Sequence, residues 1–167
     1  MYLGIDLGTS EIKAILVDAE RETTLASAGV KLEISRPRPQ WSEQAPESWV
    51  LALHQTLDAL RASAPAALAA VRGMGISGQM HGAVLLGEKR DVLRPAILWN
   101  DTRSFAECTA LEAAVPESRA ITGNLMMPGF TAPKLAWLRQ HEAALFAQIA
   151  TVMLPKDYLV QIGRAHV

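Results

Sequence analysis

Asp6 stands in an apolar strand, Leu3-Gly4-Ile5-Asp6-Leu7, that runs into a Gly8-Thr9-Ser10 turn, and a second apolar strand, Ile12 to Val17, follows at once. A carboxylate in a buried strand is costly unless it is paired. Beside a glycine-hydroxyl turn it makes sense if a cation and a phosphate are brought there. Mg²⁺ takes carboxylate or water oxygens together with phosphate oxygens. Successive backbone N–H groups in a tight turn form an anion-binding nest. The segment therefore reads as a nucleotide-phosphate hairpin. An ordinary hairpin turn would use the same residue types. A Walker A loop is excluded, because its lysine-containing pattern is absent.

Two more polar clusters interrupt apolar surroundings. Gln79-Met80-His81-Gly82 directly follows a strand-like run ending at Ser77. Ligands of open α/β sheets bind at the carboxyl ends of strands, and Gln and His offer both donors and acceptors there. A loop with a structural histidine is the alternative. In Trp99-Asn100-Asp101-Thr102-Arg103 an aromatic, an amide, a carboxylate and a guanidinium converge. A carboxylate accepts sugar hydroxyls, an amide bonds both ways, and an aromatic face covers a sugar's C–H surface. Helix capping by Asp101 or Thr102 would account for one of these residues.

These clusters need elements to carry them. Three strands are expected at Tyr2–Leu7, Ile12–Asp18 and Thr24–Glu33, in an antiparallel meander because the connections are short. Residues 34–46 read as a surface loop, broken by Pro37, Pro39 and Pro46. A helix should start at Pro46 and bury Trp49, Val50, Leu53, Leu57 and Leu60. The alanine-rich stretch around Pro65 reads as a helix end and a connection. Arg72–Ser77 is expected as a strand parallel to the first, since a helix precedes it. Short strands follow at Ala83–Leu86 and Ala96–Trp99, then a helix over Thr102–Ala114 and a short helical piece over Glu117–Thr122. Two helices over Pro133–Gln140 and Glu142–Ile149 and a strand at Thr151–Leu154 complete the reading. An opening meander followed by βα units predicts a mixed α/β sheet.

Composition sets the outer bounds. The chain has 167 residues, half of them hydrophobic and a fifth charged, enough for one domain with a sizeable core. A net charge of −1 gives no footprint for nucleic acid or an anionic membrane. The single cysteine, Cys108, excludes an intrachain disulfide and a Cys-based zinc site and suits a reducing cytoplasm; its helical spacing with Phe105 and Leu111 reads as packing. No apolar run approaches a membrane span, and no signal-like segment opens the chain.

The Asp6–Ser10 hairpin, Gly78-Gln79-Met80-His81-Gly82 and Ile97-Leu98-Trp99-Asn100-Asp101 stand in an order and spacing that resembles the FGGY carbohydrate kinases. Gly129-Phe130-Thr131-Ala132-Pro133-Lys134-Leu135-Ala136-Trp137-Leu138 is similar to a signature of that family, and the resemblance runs to about Gln161. Within the family, Gln79–Gly82 and Thr122-Gly123-Asn124 are most similar to bacterial kinases acting on D-xylulose. The resemblance implies the ribonuclease-H-like fold shared with actin and Hsp70, and transfer of phosphate from ATP with Mg²⁺ to C5 of the ketose. It gives Asp6 the role of organising Mg²⁺ through water, and Gly8, Thr9 and Ser10 that of holding the transferring phosphate, with Lys13 assisting electrostatically. Gln79, Met80 and His81 are then expected at the ketose, with Asp101 and Asn100 on its hydroxyls. A homodimer of the full-length protein is a further implication. An Hsp70- or actin-type ATPase fits less well, because of the Gln79–Gly82 and Trp99–Arg103 clusters.

Glu11 departs from the pattern, which more often has Gly there; a carboxylate near phosphate repels it unless it points away. The family's general base, an aspartate in a Gly-Gly-Asp-type loop, has no counterpart among Asp18, Asp58, Asp91 and Asp157. The expected organisation is a truncated kinase domain over 1–161, inactive by itself. A non-native tail is expected over 162–167, whose sequence Ile-Gly-Arg-Ala-His-Val is what ATC GGA AGA GCA CAC GTC, part of a common sequencing adapter, encodes. A non-catalytic sugar-binding or regulatory module of the same fold is the competing expectation.

Overall fold

A computed structural model describes residues 1–164. In chain order its elements are β1 (Tyr2–Leu7), β2 (Glu11–Asp18), β3 (Thr23–Lys31), β4 (Glu43–Gln44), α1 (Pro46–Ser63), α2 (Pro65–Ala69), β5 (Gly73–Gly78), β6 (Val84–Leu86), β7 (Ala96–Ile97), α3 (Phe105–Ala114), α4 (Ser118–Thr122), α5 (Thr131–His141), α6 (Ala143–Phe146), β8 (Thr151–Met153) and α7 (Pro155–Arg164). They form two compact units. One comprises Met1–Ile34, Pro46–Gln79 and the chain from Lys156; the other comprises Ser35–Ala45 and Met80–Pro155.

The first unit is built on a sheet of order β3-β2-β1-β5. β1 pairs antiparallel with β2 and parallel with β5, and β2 pairs antiparallel with β3, as the meander and the helix-mediated return predict. Period-2 alternation puts Leu3, Ile5, Leu7, Ile12, Ala14 and Leu16 on a buried face. α1 packs against β2 and β3. Its buried residues are Pro46, Trp49, Ala52, Thr56 and Leu60, which corrects the expected stripe: Val50, Leu53 and Leu57 are only partly covered. The buried face of the helix thus combines Trp49 and Leu60 with the small residues Ala52 and Thr56. The Thr56 hydroxyl is satisfied by donating to the Ala52 carbonyl at 2.8 Å. Leucine spacing alone could not show this. α7, a helix not expected from the residues, brings Tyr158 edge-on to Trp49 at 6.4 Å.

The second unit has a core of Ala83, Leu85, Ile97, Trp137 and Leu138, with two small antiparallel ladders, β4 with β7 and β6 with β8. β4 lies inside the segment expected to be irregular. The three prolines leave residues 40–45 free to pair. The helix expected from Thr102 begins at Phe105. The Thr102 amide is drawn off to the Gln40 carbonyl at 3.0 Å and the Arg103 amide to the Asp101 carboxylate at 3.0 Å. Cys108 is buried, and burial followed by Glu107 and Glu112 pushes its thiol up, in keeping with packing. The tail expected at 162–167 begins within α7; Ala165, His166 and Val167 lie outside the described residues. No helix among the described residues is long and apolar enough to cross a membrane.

Candidate functional site

In the first unit the register sets Asp6 opposite Lys13 on β2 and beside Ser77 on β5. All three side chains are exposed on the open face of the sheet. Asp6 is thus not the buried strand carboxylate that the sequence suggested; its strand is buried on one face only. The Ser77 hydroxyl donates to Asp6 Oδ1 at 2.6 Å. Together with Lys13, and with Gly4 and Gly75 beneath, the two residues line an open depression of about 510 Å³.

Gly8 is needed where it sits. A Cβ there would meet the Glu11 carbonyl at 2.9 Å and come within 3.8 Å of Asp6 Oδ2. The missing side chain keeps the turn tight and leaves space beside the carboxylate. The Gly8 amide is spent on the turn, donating to the Glu11 carbonyl at 3.0 Å, so it is not an anion donor in this conformation. The Thr9 hydroxyl donates to Gln79 Oε1 at 3.2 Å, and Ser10 is exposed at the turn. Glu11 lies across Gly29 of β3, where a Cβ would collide with its carboxylate. It pairs with Lys13 at 3.4 Å. The acid that departs from the family pattern is therefore held over the neighbouring strand. Among the described residues no three His, Cys, Asp or Glu gather as a metal site. A cation at Asp6 would be completed by water and phosphate oxygens, the coordination Mg²⁺ favours.

Gln79 is buried, and its amide donates to the Leu7 carbonyl at 2.8 Å. With the Thr9 bond, it braces the hairpin from the end of β5. Met80, first residue of the second unit's long segment, is 53% exposed. His81 has φ 58°, and the Gly82 amide donates to the Met80 carbonyl at 2.8 Å. This is the strained, positive-φ form of the γ-turn. Strain of this kind persists where the surroundings over-determine it, and it clusters at functional sites. Here the His81 carbonyl accepts from Thr131 Oγ1 at 3.2 Å and from Lys134 Nζ at 2.7 Å. The imidazole lies against the Phe130 ring at 4.6 Å. Burial, and then the charge of Lys134, lower the His81 pKa below 6.5. This favours the neutral ring, which offers one donor and one acceptor.

Asp101 is fully buried. Its Oδ1 accepts from the Arg103 amide at 3.0 Å and Nε at 2.9 Å; its Oδ2 accepts from the Ser42 amide and from Arg103 Nη2, both at 2.7 Å. Four bonds fill the capacity of a carboxylate. Arg103 also donates to Glu43 at 2.6 Å and stacks on Trp41, its guanidinium 3.6 Å from the ring centroid. Glu43 is shared with Arg94, which also holds Glu142. Asp101 is thus the hub of a buried ion network and does not cap α3. Asn100 next to it is different: its buried Oδ1 has no hydrogen-bond partner among the described residues.

Sequence reasoning gave no role to Lys134, although it is the single cation in an otherwise apolar signature. It is fully buried, and its second bond goes to the Gly129 carbonyl at 2.7 Å. Burial brings its pKa from 10.5 down to about 7, opposed by Asp101 and aided by Arg103. The unfolded lysine holds its proton up to about pH 10.5, whereas the folded one releases it near 7. Stability must therefore rise between these values, by up to about 1.4 kcal/mol per pH unit. We expect the melting temperature to climb from pH 7 to 9.5, and Lys134→Met to remove most of that climb. Parallel pH profiles of the two proteins would show otherwise.

Residues 1–162 match the sequence profile of the FGGY family of carbohydrate kinases, N-terminal domain. The chain is 59% identical over 159 residues to the xylulose kinase of Klebsiella pneumoniae and 57% identical over 159 residues to that of Escherichia coli K12; each match covers 95% of this chain and 32% of the relative. The crystal structure of a "xyloylose kinase" from Brucella ovis superposes with a TM-score of 0.91 at 54% identity, covering 95% of this chain and 33% of that one. The chain thus spans about a third of the length of the relatives it matches.

Proposed function

The chain belongs to the FGGY family of carbohydrate kinases, and on that footing we propose that it supplies the N-terminal domain of an ATP-dependent kinase converting D-xylulose to D-xylulose 5-phosphate. The observation that carries the ketose assignment is the His81 turn. It is a strained backbone held by two donors, with a neutral imidazole and an exposed Met80 beside it. The imidazole donates to one sugar hydroxyl and accepts from another, and Met80 covers the C–H surface. Asn100 Oδ1, unpartnered like Arg103 Nη1 of the same cluster, is the amide acceptor left to serve a ligand. Asp101 supports this unit from within and does not itself hold a hydroxyl.

Asp6 and the Gly8–Ser10 turn form the phosphate side of this reading. The bare Gly8 beside the Asp6 carboxylate leaves room for a hydrated cation. When bound, Mg²⁺–ATP supplies the phosphoryl group with its oxygen charges neutralised. Asp6 orients the cation's waters, Ser77 fixes the carboxylate, and Lys13 adds positive charge at the depression. Gln79 holds the turn in place through Thr9. The proton acceptor for the attacking hydroxyl belongs, in this reading, to the two thirds of the relatives' length that the chain does not span.

A complete kinase can be made by joining residues 1–161 to the remainder of a close relative. Its kcat/KM for D-xylulose is expected to exceed that for D-ribulose, glycerol and gluconate by about tenfold or more. A higher value for D-ribulose would replace D-xylulose as the substrate, and a higher value for glycerol or gluconate would replace the ketose assignment.

A further inference from the structure

We propose that Lys134 is a positioning residue for sugar recognition: by tying the His81 turn to the Gly129 turn it fixes the direction in which the His81 ring meets the ketose. This rests on the reading that Met80 and His81 contact the sugar. Lys134 itself touches no substrate.

Three observations carry the proposal. Lysine is almost never fully buried unless it is paired, yet the nearby carboxylate of Asp101 is already filled by Arg103 and Ser42. Both Lys134 bonds go instead to main-chain carbonyls of two separate turns, His81 and Gly129, at 2.7 Å each. An apolar residue would fill the same space at less cost, so the joining of the turns is what the amine contributes. The Gly129 turn is a fixed anchor: a Cβ on Gly129 would run into the Trp99 carbonyl. Finally, the His81 backbone sits in the left-handed region, which a non-glycine residue leaves unless its neighbours hold it. Thr131 and Lys134 grip the same carbonyl while Phe130 backs the ring. A neutral amine keeps two hydrogens, enough for both carbonyls, so the tie does not depend on the protonation state of Lys134.

The test uses the complete kinase as wild type, Lys134→Met and Thr131→Val. Lys134→Met is expected to raise KM for D-xylulose roughly 10- to 100-fold, with ATP hydrolysis in the absence of sugar, and its KM for ATP, within about twofold of wild type. Thr131→Val removes the weaker grip on the same carbonyl and should raise the ketose KM about two- to fivefold. A folded Lys134→Met enzyme with unchanged ketose KM, or with sugar and ATP affected alike, would overturn the proposal. If Lys134→Met does not fold, Thr131→Val decides, and an unchanged ketose KM there overturns it. Should wild type itself fail to phosphorylate any ketose, the functional reading fails and the sugar-directing half of this inference with it, leaving the holding of the His81 turn by Lys134 to be tested alone. Crystal structures then settle the inference: His81 leaving positive φ in either variant supports it, and unaltered His81 geometry in both contradicts it.

Discussion

In the complete kinase, Asp6→Asn lowers phosphoryl transfer roughly 10²- to 10³-fold and leaves D-xylulose affinity within about a factor of two. The reason lies in what surrounds the carboxylate. Asp6 stands exposed at the carboxyl end of β1, one oxygen held by Ser77 and the other beside the bare Gly8. It belongs to the unit of Met1–Ile34 and Pro46–Gln79, whereas Met80 and His81 belong to the other. The amide keeps the shape and the Ser77 contact but loses the charge proposed to hold a hydrated cation. Because the residue is exposed and makes no buried ion pair, the variant should melt within a few degrees of wild type. Turnover across a Mg²⁺ series and calorimetric titration of D-xylulose check both halves. A near-normal rate at ordinary Mg²⁺ would reduce Asp6 to a strand residue.

Asp101→Ala is expected to act in a different way. It removes the carboxylate that four donors use and leaves the Arg103 guanidinium, 1% exposed, with only Glu43 as a counter-charge. Breaking a buried pair from one side costs about 3–5 kcal/mol. The expected result is a strongly lowered melting temperature or loss of soluble protein, with sugar and nucleotide binding declining together. Trp41 and Trp137 lie 3.6 and 5.1 Å from the Arg103 guanidinium by ring centroid, so tryptophan fluorescence follows the loss directly. A variant of wild-type stability that has lost only its ketose affinity would return Asp101 to the sugar.

Much of the frame was legible in the residues. β1, β2 and β3 are strand-forming runs joined by short polar turns, so local chemistry sets their approximate limits and the antiparallel order. β5 follows from the helix that precedes it. The errors arise where tertiary context decides. α1 buries Ala52 and Thr56 and leaves Leu53 and Leu57 partly covered, because which face of a helix meets the sheet is decided by tertiary packing. β4 forms because β7 offers it a partner 53 residues away, Glu43 against Ile97 by 54 and Gln44 against Ala96 by 52. α3 starts late, after a turn in which the Thr102 amide bonds to the Gln40 carbonyl and the Arg103 amide to Asp101, contacts that residue types do not show.

The site divides in the same manner. The composition of the Asp6–Ser10 and Gln79–Gly82 segments marked them, since acids, hydroxyls and histidine are unusual in apolar runs. What composition could not assign was the direction of each side chain. Gln79 turns back to Thr9, Asp101 turns inward to Arg103, and Glu11 lies across Gly29. Lys134 escaped notice because its partners are backbone carbonyls, which leave no trace in residue types. Its place as the one cation between Phe130 and Leu138, three residues before Trp137, was the available signal.

Transfer of the γ-phosphoryl group of ATP to a ketose is the role proposed for these residues. It is tested most directly by ³¹P and ¹³C NMR of the reaction catalysed by the complete kinase on D-xylulose with ATP. The account predicts ADP and a single phosphate monoester whose carbon coupling places it on C5, formed in wild type and lost with Asp6→Asn. ATP hydrolysis without a sugar phosphate, or phosphate on another carbon, would contradict it.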